Sequence, residues 1–397
     1  MKKRFLLILL AVLLVAASLI ALYQSGVLFK PQQPQSAQTT APAATAAPSP
    51  DAAQTSDSPS GGQTEYSKYS GTFFGTFDTV VTLIGYAPSE DDFNRELAAV
   101  EALFQHYHQI FDNYHAYDGV ANIYALNKSA AQAPVKVDDD LFDLLAWCKS
   151  NQEKYGSDTV NIAMGMLLSI WHDYREDAEL DPTSAAVPPM TKLTPAANHM
   201  NIEDVVLDAQ NKTVYYSDPD LMLDLGAVAK GYTAEKAAQY LLSSSMPSFI
   251  ISAGGNVRAG LKPLDGRERW GVGVQDPDGS TMSSGDLMDT LYLKDLSVVT
   301  SGDYQRYYVV DGVRYHHLIS PITLMPANYF RAVTIVTEDS AWADYLSTMV
   351  FLLPYEQGRA FVDSLDGVEA LWIMNDRTVQ MTDGMKAMAK SQGASSK

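Results

Sequence analysis

A single cysteine, Cys148, stands in 397 residues, which excludes an intrachain disulfide and any cysteine-based zinc or iron–sulfur site. Its neighbours Leu144, Leu145 and Trp147 read it as a small buried apolar residue. Positive charge is also scarce. Against 47 Asp and Glu there are 28 Lys and Arg, a formal net charge of −19. That balance excludes sequence-independent nucleic-acid binding, which needs a basic footprint. It equally excludes a peripheral domain held on anionic lipid by its own surface.

Long apolar runs are nearly absent too, with one exception at the start. Phe5–Tyr23 is broken only by Ser18 and follows the basic Met1-Lys-Lys-Arg4. A run of that length spans a bilayer as a helix, and the basic flank keeps its start cytoplasmic. Residues 1–30 are therefore expected to be a membrane anchor with the rest of the chain outside the cytoplasm. Cleavage near Ala16–Ser18 is the second choice. No cysteine follows the run, so a lipoprotein signal is excluded. Residues 31–68 are rich in Pro, Gln, Ala, Ser and Thr without apolar periodicity, the composition of a disordered tether. Residues 69–385 are expected to form the globular domain and 386–397 a flexible tail.

Within the domain, Phe73–Tyr86 reads as strands. Ser89 and Asp92 resemble a capping box, and Phe93, Leu97, Val100, Phe104, Tyr107 and Phe111 then step by four and three along one helix face. His106 and His108 lack acidic or cysteine companions and are expected at the surface. A polar, aromatic loop follows, ending in a short helix at 122–127, and Leu141–Tyr155 is a second amphipathic helix. Pro182–Ala197 is a proline-rich excursion. Asp204–Leu207 with Thr213–Tyr216 forms a hairpin, and further strands fall at 249–252, 270–274, 290–293, 297–300, 307–310 and 331–337. A helix runs from about Ser340 to Leu352. Strands and helices mix without a regular βαβ alternation. The expected fold class is α+β, with mixed, largely antiparallel sheets flanked by helices.

Two stretches carry chemistry. Leu221–Tyr240 reads as an apolar strand bearing Asp224, a turn through Gly226 and Ala227, then Lys230 on an alanine-rich helix. Backbone N–H groups at such a helix start attract anions, and small residues let a ligand approach. Read alone, an ordinary strand–turn–helix with Asp224 as a cap is preferred. Asp344 and Thr348 lie four apart and project from one helix face, offering hard oxygen ligands of the kind Mg²⁺ takes. Read alone, Thr348 bonding back to its own helix is preferred. His316 and His317 point to opposite faces of a strand, so at most one serves a site. Gly254-Gly255 marks a further close backbone approach.

Taken in order, eight segments resemble the ApbE family of FAD:protein FMN transferases. They are Phe77-Asp-Thr79, the 112–127 loop, Val160–Gly165, Leu223–Gly231, Ala253–Asn256, Thr300–Tyr304, Tyr315–Pro321 and Ala343–Thr348. The likeness covers roughly residues 70–380. It implies that FAD is cleaved with Mg²⁺, that FMN passes to a Ser or Thr hydroxyl of an exported or membrane flavoprotein, and that AMP leaves. The acceptor would carry a Ser/Thr-Gly-Ala-Ser/Thr-type sequence. Asp344, Thr348 and the carbonyl of Ala227 are the implied metal ligands. Asp224 and Lys230 would hold the adenosine and phosphates, with Gly254, Gly255, Ser301 and Leu318 also against FAD. Phe77 would line the flavin pocket where the family usually has methionine. Tyr117, preferred to Tyr114 for its spacing to Asn127, would stack on the ring. His317 is the candidate to deprotonate the acceptor, beside Asp344 as the second catalytic residue.

Two departures from the family pattern stand out. The run His-His-Leu-Ile-Ser-Pro-Ile-Thr-Leu replaces His-His-Ile-Leu-Asp-Pro-x-Thr-Gly, placing Ser320 where the aspartate usually is. Asn161 replaces another aspartate. Two other functions compete: an FAD pyrophosphatase with water as acceptor, and a non-enzymatic extracytoplasmic flavin-binding protein. The second leaves the Asp344/Thr348 pair without a purpose.

Overall fold

The computed structural model describes residues 65–156, 158–279 and 287–397. The expected anchor and nearly all of the tether lie outside these residues. Among the described residues no helix is long and apolar enough to cross a membrane.

Strands β1 (Ser67–Thr76) and β2 (Thr79–Ala87) form an antiparallel hairpin, and β1 starts two residues before the expected start of the globular domain. Its two-residue turn, Phe77-Asp78, has φ of 52° and 51°, the paired positive values that a type I′ turn demands. Helix α1 (Glu90–Phe111) follows. Its N-cap Ser89 accepts from the Asp92 amide at 3.1 Å and donates its hydroxyl to the Asp92 carboxylate at 2.7 Å, so the cap forms while the carboxylate serves the hydroxyl rather than the Ser89 amide of a full box. The stepped face buries Phe93, Val100, Phe104, Tyr107 and Phe111. Next come α2 (Ile123–Ser129), β3 (Val135–Lys136), α3 (Asp139–Tyr155), α4 (Gly165–Leu180) and α5 (Met190–Ala197). The proline-rich excursion therefore ends in helix, because its last eight residues have an apolar side, Leu193 and Ala196, to bury.

Strands β4 (Val205–Asp208) and β5 (Thr213–Tyr216) pair as expected, with β3 added at the edge. Helix α6 spans Ala229–Leu242. The chain continues through β6 (Phe249–Ala253), β7 (Asn256–Ala259), β8 (Trp270–Gln275), β9 (Leu287–Leu293), β10 (Ser297–Gly302), β11 (Tyr307–Val310), β12 (Val313–His316) and β13 (Phe330–Thr337). Helices α7 (Ser340–Phe351) and α8 (Tyr355–Asp363), strands β14 (Glu369–Met374) and β15 (Val379–Met381), and helix α9 (Asp383–Met388) complete it.

An eight-stranded sheet in the order β1-β2-β6-β7-β10-β13-β14-β15 is the frame, and every neighbouring pair is antiparallel. Its strands β10, β13 and β14 are buried on both faces. On one side Val299, Val333, Ile335 and Trp372 meet α3, α7 and their neighbours. On the other, Val298, Ala332, Val336, Leu371 and Ile373 meet the β8–β9 hairpin and α9. This explains why β13 reads Ala-Val-Thr-Ile-Val with no polar alternation. Each large apolar side chain so enclosed contributes about 1.5–3 kcal/mol. The fold is α+β with antiparallel sheets and helices, as expected.

Two expectations need correction. Leu221–Leu225 is not a strand: its one ladder contact is a parallel bridge between Met222 and Met164. Asn127 clamps it instead, donating to the Leu223 carbonyl at 2.9 Å and accepting from the Leu223 amide at 2.7 Å. The C-terminal residues are not a loose tail either. Met385 and Ala389 are fully buried beneath β9, and Ser391 bonds Asp289. Cys148 is buried, and burial raises its thiol pKa far above the usual range.

Candidate active site

A cavity of about 430 Å³ opens where the β1–β2 turn, the end of α1, the 224–230 turn, the β6–β7 turn, the end of β10, the β11–β12 hairpin and α7 converge. Phe77, Asp224, Ala227, Lys230, Gly254, Ser301, His317, Leu318, Asp344 and Thr348 all line it, although they span most of the domain in sequence. Gly255 and Tyr117 do not. Volumes of this size suit cofactor-sized ligands.

The 224–230 turn and α7 form one wall. Asp224 accepts from the Gly226 amide at 2.7 Å and from Asn113 Nδ2 at 2.9 Å. It therefore does cap its turn, yet it also faces the cavity. Gly231, the residue after Lys230, sits where α6 crosses α7: a Cβ there would collide with the Ser340 carbonyl and the Asp344 side chain. The close crossing lets the Gly231 amide donate to Asp344 Oδ2 at 2.8 Å. Asp344 is buried, and burial raises its pKa above the ordinary carboxylate value, against the opposing pull of the Lys230 ammonium and the Gly231 amide. One helical turn on, Thr348 Oγ1 lies 3.4 Å from Ser301 Oγ and makes no back-bond to its own helix. Ser301 also bonds Ser347 at 2.8 Å, tying β10 to α7. The result is a hard-oxygen pair, Asp344 and Thr348, beside the turn carrying Ala227. A buried carboxylate of raised pKa flanked by neutral oxygens is a fitting donor set for a small divalent cation.

Opposite, the β11–β12 hairpin sorts the two histidines. His316 donates from Nε2 to the Ala327 carbonyl at 2.8 Å, and its Nδ1 accepts from the Leu318 amide at 3.2 Å. Both its ring nitrogens serve the fold. His317 turns into the cavity with Nδ1 buried and without a protein partner. Burial, then the Arg306 guanidinium, holds its pKa well below the ordinary value, so the ring is neutral at pH 7.

The β1–β2 turn brings Phe77 over α1. Its amide donates to His108 Nδ1 at 3.3 Å and its ring meets the His108 ring edge-on at 5.4 Å. His108 is thus a cavity residue, contrary to the surface position expected for it; no nearby residue in the sequence signals this. The loop after α1 corrects the tyrosine choice. Tyr114 is half-exposed in the cavity wall, tilted against His172 at 4.8 Å, and desolvation of its hydroxyl among the wall residues, then the Asp224 carboxylate, raises its pKa. Tyr117 instead donates to Asp112 Oδ2 at 2.8 Å, while Asp112 Oδ1 accepts from the Tyr114 amide at 2.6 Å. Tyr117 braces the loop that presents Tyr114. Gly254 has φ of +54°, and a Cβ there would strike Thr79, so only glycine closes that corner. Gly255 belongs to the same turn but faces the Thr300 carbonyl rather than the cavity.

Ser320 and Asn161, the two departures, find definite uses. Ser320 Oγ accepts from the Ile322 and Thr323 amides, each at 3.3 Å, the turn-capping work an aspartate also does. Asn161 accepts from Ala163 N and donates to the Met200 carbonyl, both at 2.8 Å; an ionised aspartate has no proton for the second bond. Sequence reasoning also missed Asn113, Arg175, Arg306, Thr159 and Asn256, all on the wall. Among the described residues ten buried side-chain polar atoms lack a protein partner, and four of them, Thr159 Oγ1, Asn256 Oδ1, Tyr308 OH and His317 Nδ1, belong to this cavity's lining. Buried polar groups are rarely left unpaired, so the concentration here marks a site built for a polar ligand.

Residues 76–372 match the model of the ApbE family. The chain belongs to that family. An FAD:protein FMN transferase from Treponema pallidum is 36% identical over 274 residues, covering 66% of this chain and 73% of the relative. One from Klebsiella pneumoniae is 28% identical over 261 residues, covering 64% of this chain and 75% of the relative. The crystal structure of the ApbE protein from Thermotoga maritima superposes with a TM-score of 0.69 at 28% identity, covering 81% of this chain and 99% of that one. The flavin transferase ApbE from Vibrio cholerae shares the fold, with a TM-score of 0.65 at 20% identity over 82% of this chain and 99% of that one.

Proposed function

We propose that this member of the ApbE family is an FAD:protein FMN transferase. The observation that carries the reading is the junction of an oxygen pair, Asp344 and Thr348, with the Asp224–Lys230 turn inside a cavity rich in unpaired polar atoms. Relatives named FAD:protein FMN transferase support it. In the reaction the acceptor hydroxyl oxygen forms a bond to the FMN phosphorus, the phosphoanhydride P–O bond breaks, and AMP leaves with the bonding pair.

Each residue has a task in this reading. Asp344, Thr348 and the Ala227 carbonyl would hold Mg²⁺, which neutralises charge on the diphosphate and orients in-line attack. Lys230 presents its ammonium to the phosphates, and Asp224, fixed by Asn113, accepts from the adenosine portion. Phe77 and Tyr114 frame the flat flavin ring, Gly254 lets it approach the backbone, and Ser301 and Leu318 close the remaining wall. His317, neutral at pH 7, takes the acceptor's proton on a ring nitrogen. The acceptor is a flavoprotein with a Ser/Thr-Gly-Ala-Ser/Thr-type segment. Residues 1–30 would anchor the enzyme in the cell membrane with the domain outside the cytoplasm, where such acceptors are exported.

Incubation with FAD, Mg²⁺ and an acceptor domain bearing that segment, followed by denaturing electrophoresis under ultraviolet light, tests the proposal. Covalent fluorescence on the acceptor is expected. AMP release without labelling identifies an FAD pyrophosphatase instead, and neither product leaves a flavin-binding protein.

A further inference from the structure

Glu235 follows Gly231 by one helical turn on α6, and Ser340 precedes Asp344 by one turn on α7. Glu235 Oε2 accepts from the Ser340 amide at 3.0 Å, while the Gly231 amide donates to Asp344 Oδ2 at 2.8 Å. Each helix thus gives a carboxylate to an amide of the other, and the two bonds bracket the close crossing at Gly231. Ser340 is the first residue of α7, so its amide is one of the donors that a helix start leaves without an internal partner. Glu235 is itself fixed: Arg258 Nε on β7 donates to Oε2 at 3.3 Å, and Gln239 donates to Oε1 at 3.1 Å. Arg258 is buried and also bonds the Ala259 carbonyl and Asp295. Glu235 does not line the cavity, so nothing in the proposed chemistry uses it directly.

We propose that Glu235 is a positioning residue, whose bond to the start of α7 sets the face bearing Asp344 and Thr348 against the turn bearing Ala227. The inference rests on reading Asp344 and Thr348 as ligands of a divalent cation. Without the Glu235 bond, Asp344 makes the one remaining hydrogen bond between α6 and α7 among the described residues. The carboxylate that should orient toward a cation then has to hold the helices together. Mg²⁺ tolerates little departure from octahedral geometry, so a small slip of α7 weakens the site. Carboxylates that orient ligands in this way typically change metal affinity 10–100-fold on removal.

Three variants separate this role from plain stability. Glu235→Ala removes the acceptor, Glu235→Gln keeps one oxygen for the Ser340 amide, and Leu291→Ala opens a cavity in the core on the other face of the sheet without touching either helix. Two readouts are used: amide exchange at Gly231 in metal-free protein, and calorimetric Mn²⁺ affinity. In Glu235→Ala the Gly231 amide exchanges faster and the Mn²⁺ dissociation constant rises about tenfold. Glu235→Gln restores both toward the wild-type values. Leu291→Ala lowers Tm but leaves both nearly unchanged. Wild-type exchange and affinity in Glu235→Ala, or an equal loss in Leu291→Ala, overturn the inference. An Asp344→Asn control addresses the metal reading separately: if it binds Mn²⁺ as wild type does, that reading has failed, and exchange at Gly231 alone decides the helix clasp.

Discussion

Asp344 shows how one residue links stability to chemistry. Burial raises its pKa, so between the unfolded value, about 3.9, and the raised native value the folded protein holds a proton that the unfolded chain releases. Stability from this group is full below the unfolded pKa and declines as pH rises through the native one. Asp344→Asn is therefore expected to melt at or above the wild-type temperature at pH 7 without metal, with the difference vanishing below about pH 4. Added Mg²⁺ should raise the wild-type Tm and leave the variant unmoved. A lower metal-free Tm for the variant at pH 7 contradicts this account. His317 yields a kinetic prediction. Its depressed pKa places the acid limb of kcat/KM below pH 6.5, and His317→Gln should lose that limb together with a factor of roughly 10²–10⁴ in rate. A limb that persists in the variant assigns the base elsewhere. The tyrosines offer a third test: Tyr114→Ala should weaken FAD binding at least several-fold, whereas Tyr117→Ala, which removes a ring outside the cavity together with its bonds to Asp112 and His108, should weaken it less. The reverse order, read by flavin fluorescence quenching, returns the stacking role to Tyr117. At this scale the meeting of Asp224, Lys230, His317, Asp344 and Thr348 in one cavity was legible only through the ordered family segments, since the turn and the helix pair read alone favour ordinary structural roles. Tyr114, His108 and Asn113 were not, because what places them is contact with distant chain: Asn113 meets Asp224 across 111 positions.

Elements read from periodicity fared well where one face is buried, as in α1, and poorly where the backbone is held by side chains. Leu221–Leu225 has strand composition but is fixed by Asn127 hydrogen bonds, which no local pattern announces. The β1–β2 turn makes the opposite case. It needs positive φ at two positions and fills them with Phe77 and Asp78, neither of them glycine. Left-handed backbone costs a Cβ-bearing residue roughly 1–2 kcal/mol. Both line the cavity, and Asp78, the more exposed of the two, is the freer position. Asp78→Gly should raise unfolding stability by up to about 1 kcal/mol in a denaturant titration, the relief of strain being partly offset by glycine's greater unfolded-state entropy. A loss of stability would show that the aspartate side chain contributes more to the turn than its backbone costs. Leu324 repeats the pattern with φ of 60°, at the position where the ApbE family commonly has glycine. It is buried, and its carbonyl accepts from Trp171 Nε1 at 3.0 Å, so packing holds a conformation that the residue type disfavours.

For the whole molecule, composition and charge excluded nucleic acid and disulfide chemistry, and mixed elements without βαβ rhythm indicated α+β. What composition could not supply was the docking of the C-terminus. Residues 386–397 look like a polar tail, yet Ala389 is buried and the Ser396 carbonyl accepts from the Glu268 amide at 2.8 Å. Together with the Ser391 bonds to Asp289 these small anchor points hold the segment, and none makes a periodic signal. The same long-range assembly creates the cavity, since its walls come from segments separated by up to some 270 residues, from Phe77 to Thr348. The central claim is that this cavity moves FMN onto a protein hydroxyl. Its most direct test is to react the domain with FAD, Mg²⁺ and acceptor, and to measure the acceptor's intact mass alongside released AMP. The account predicts a mass gain of one FMN less one water, matched one-to-one by AMP, both lost in Asp344→Asn. AMP accumulating against an acceptor of unchanged mass would contradict it.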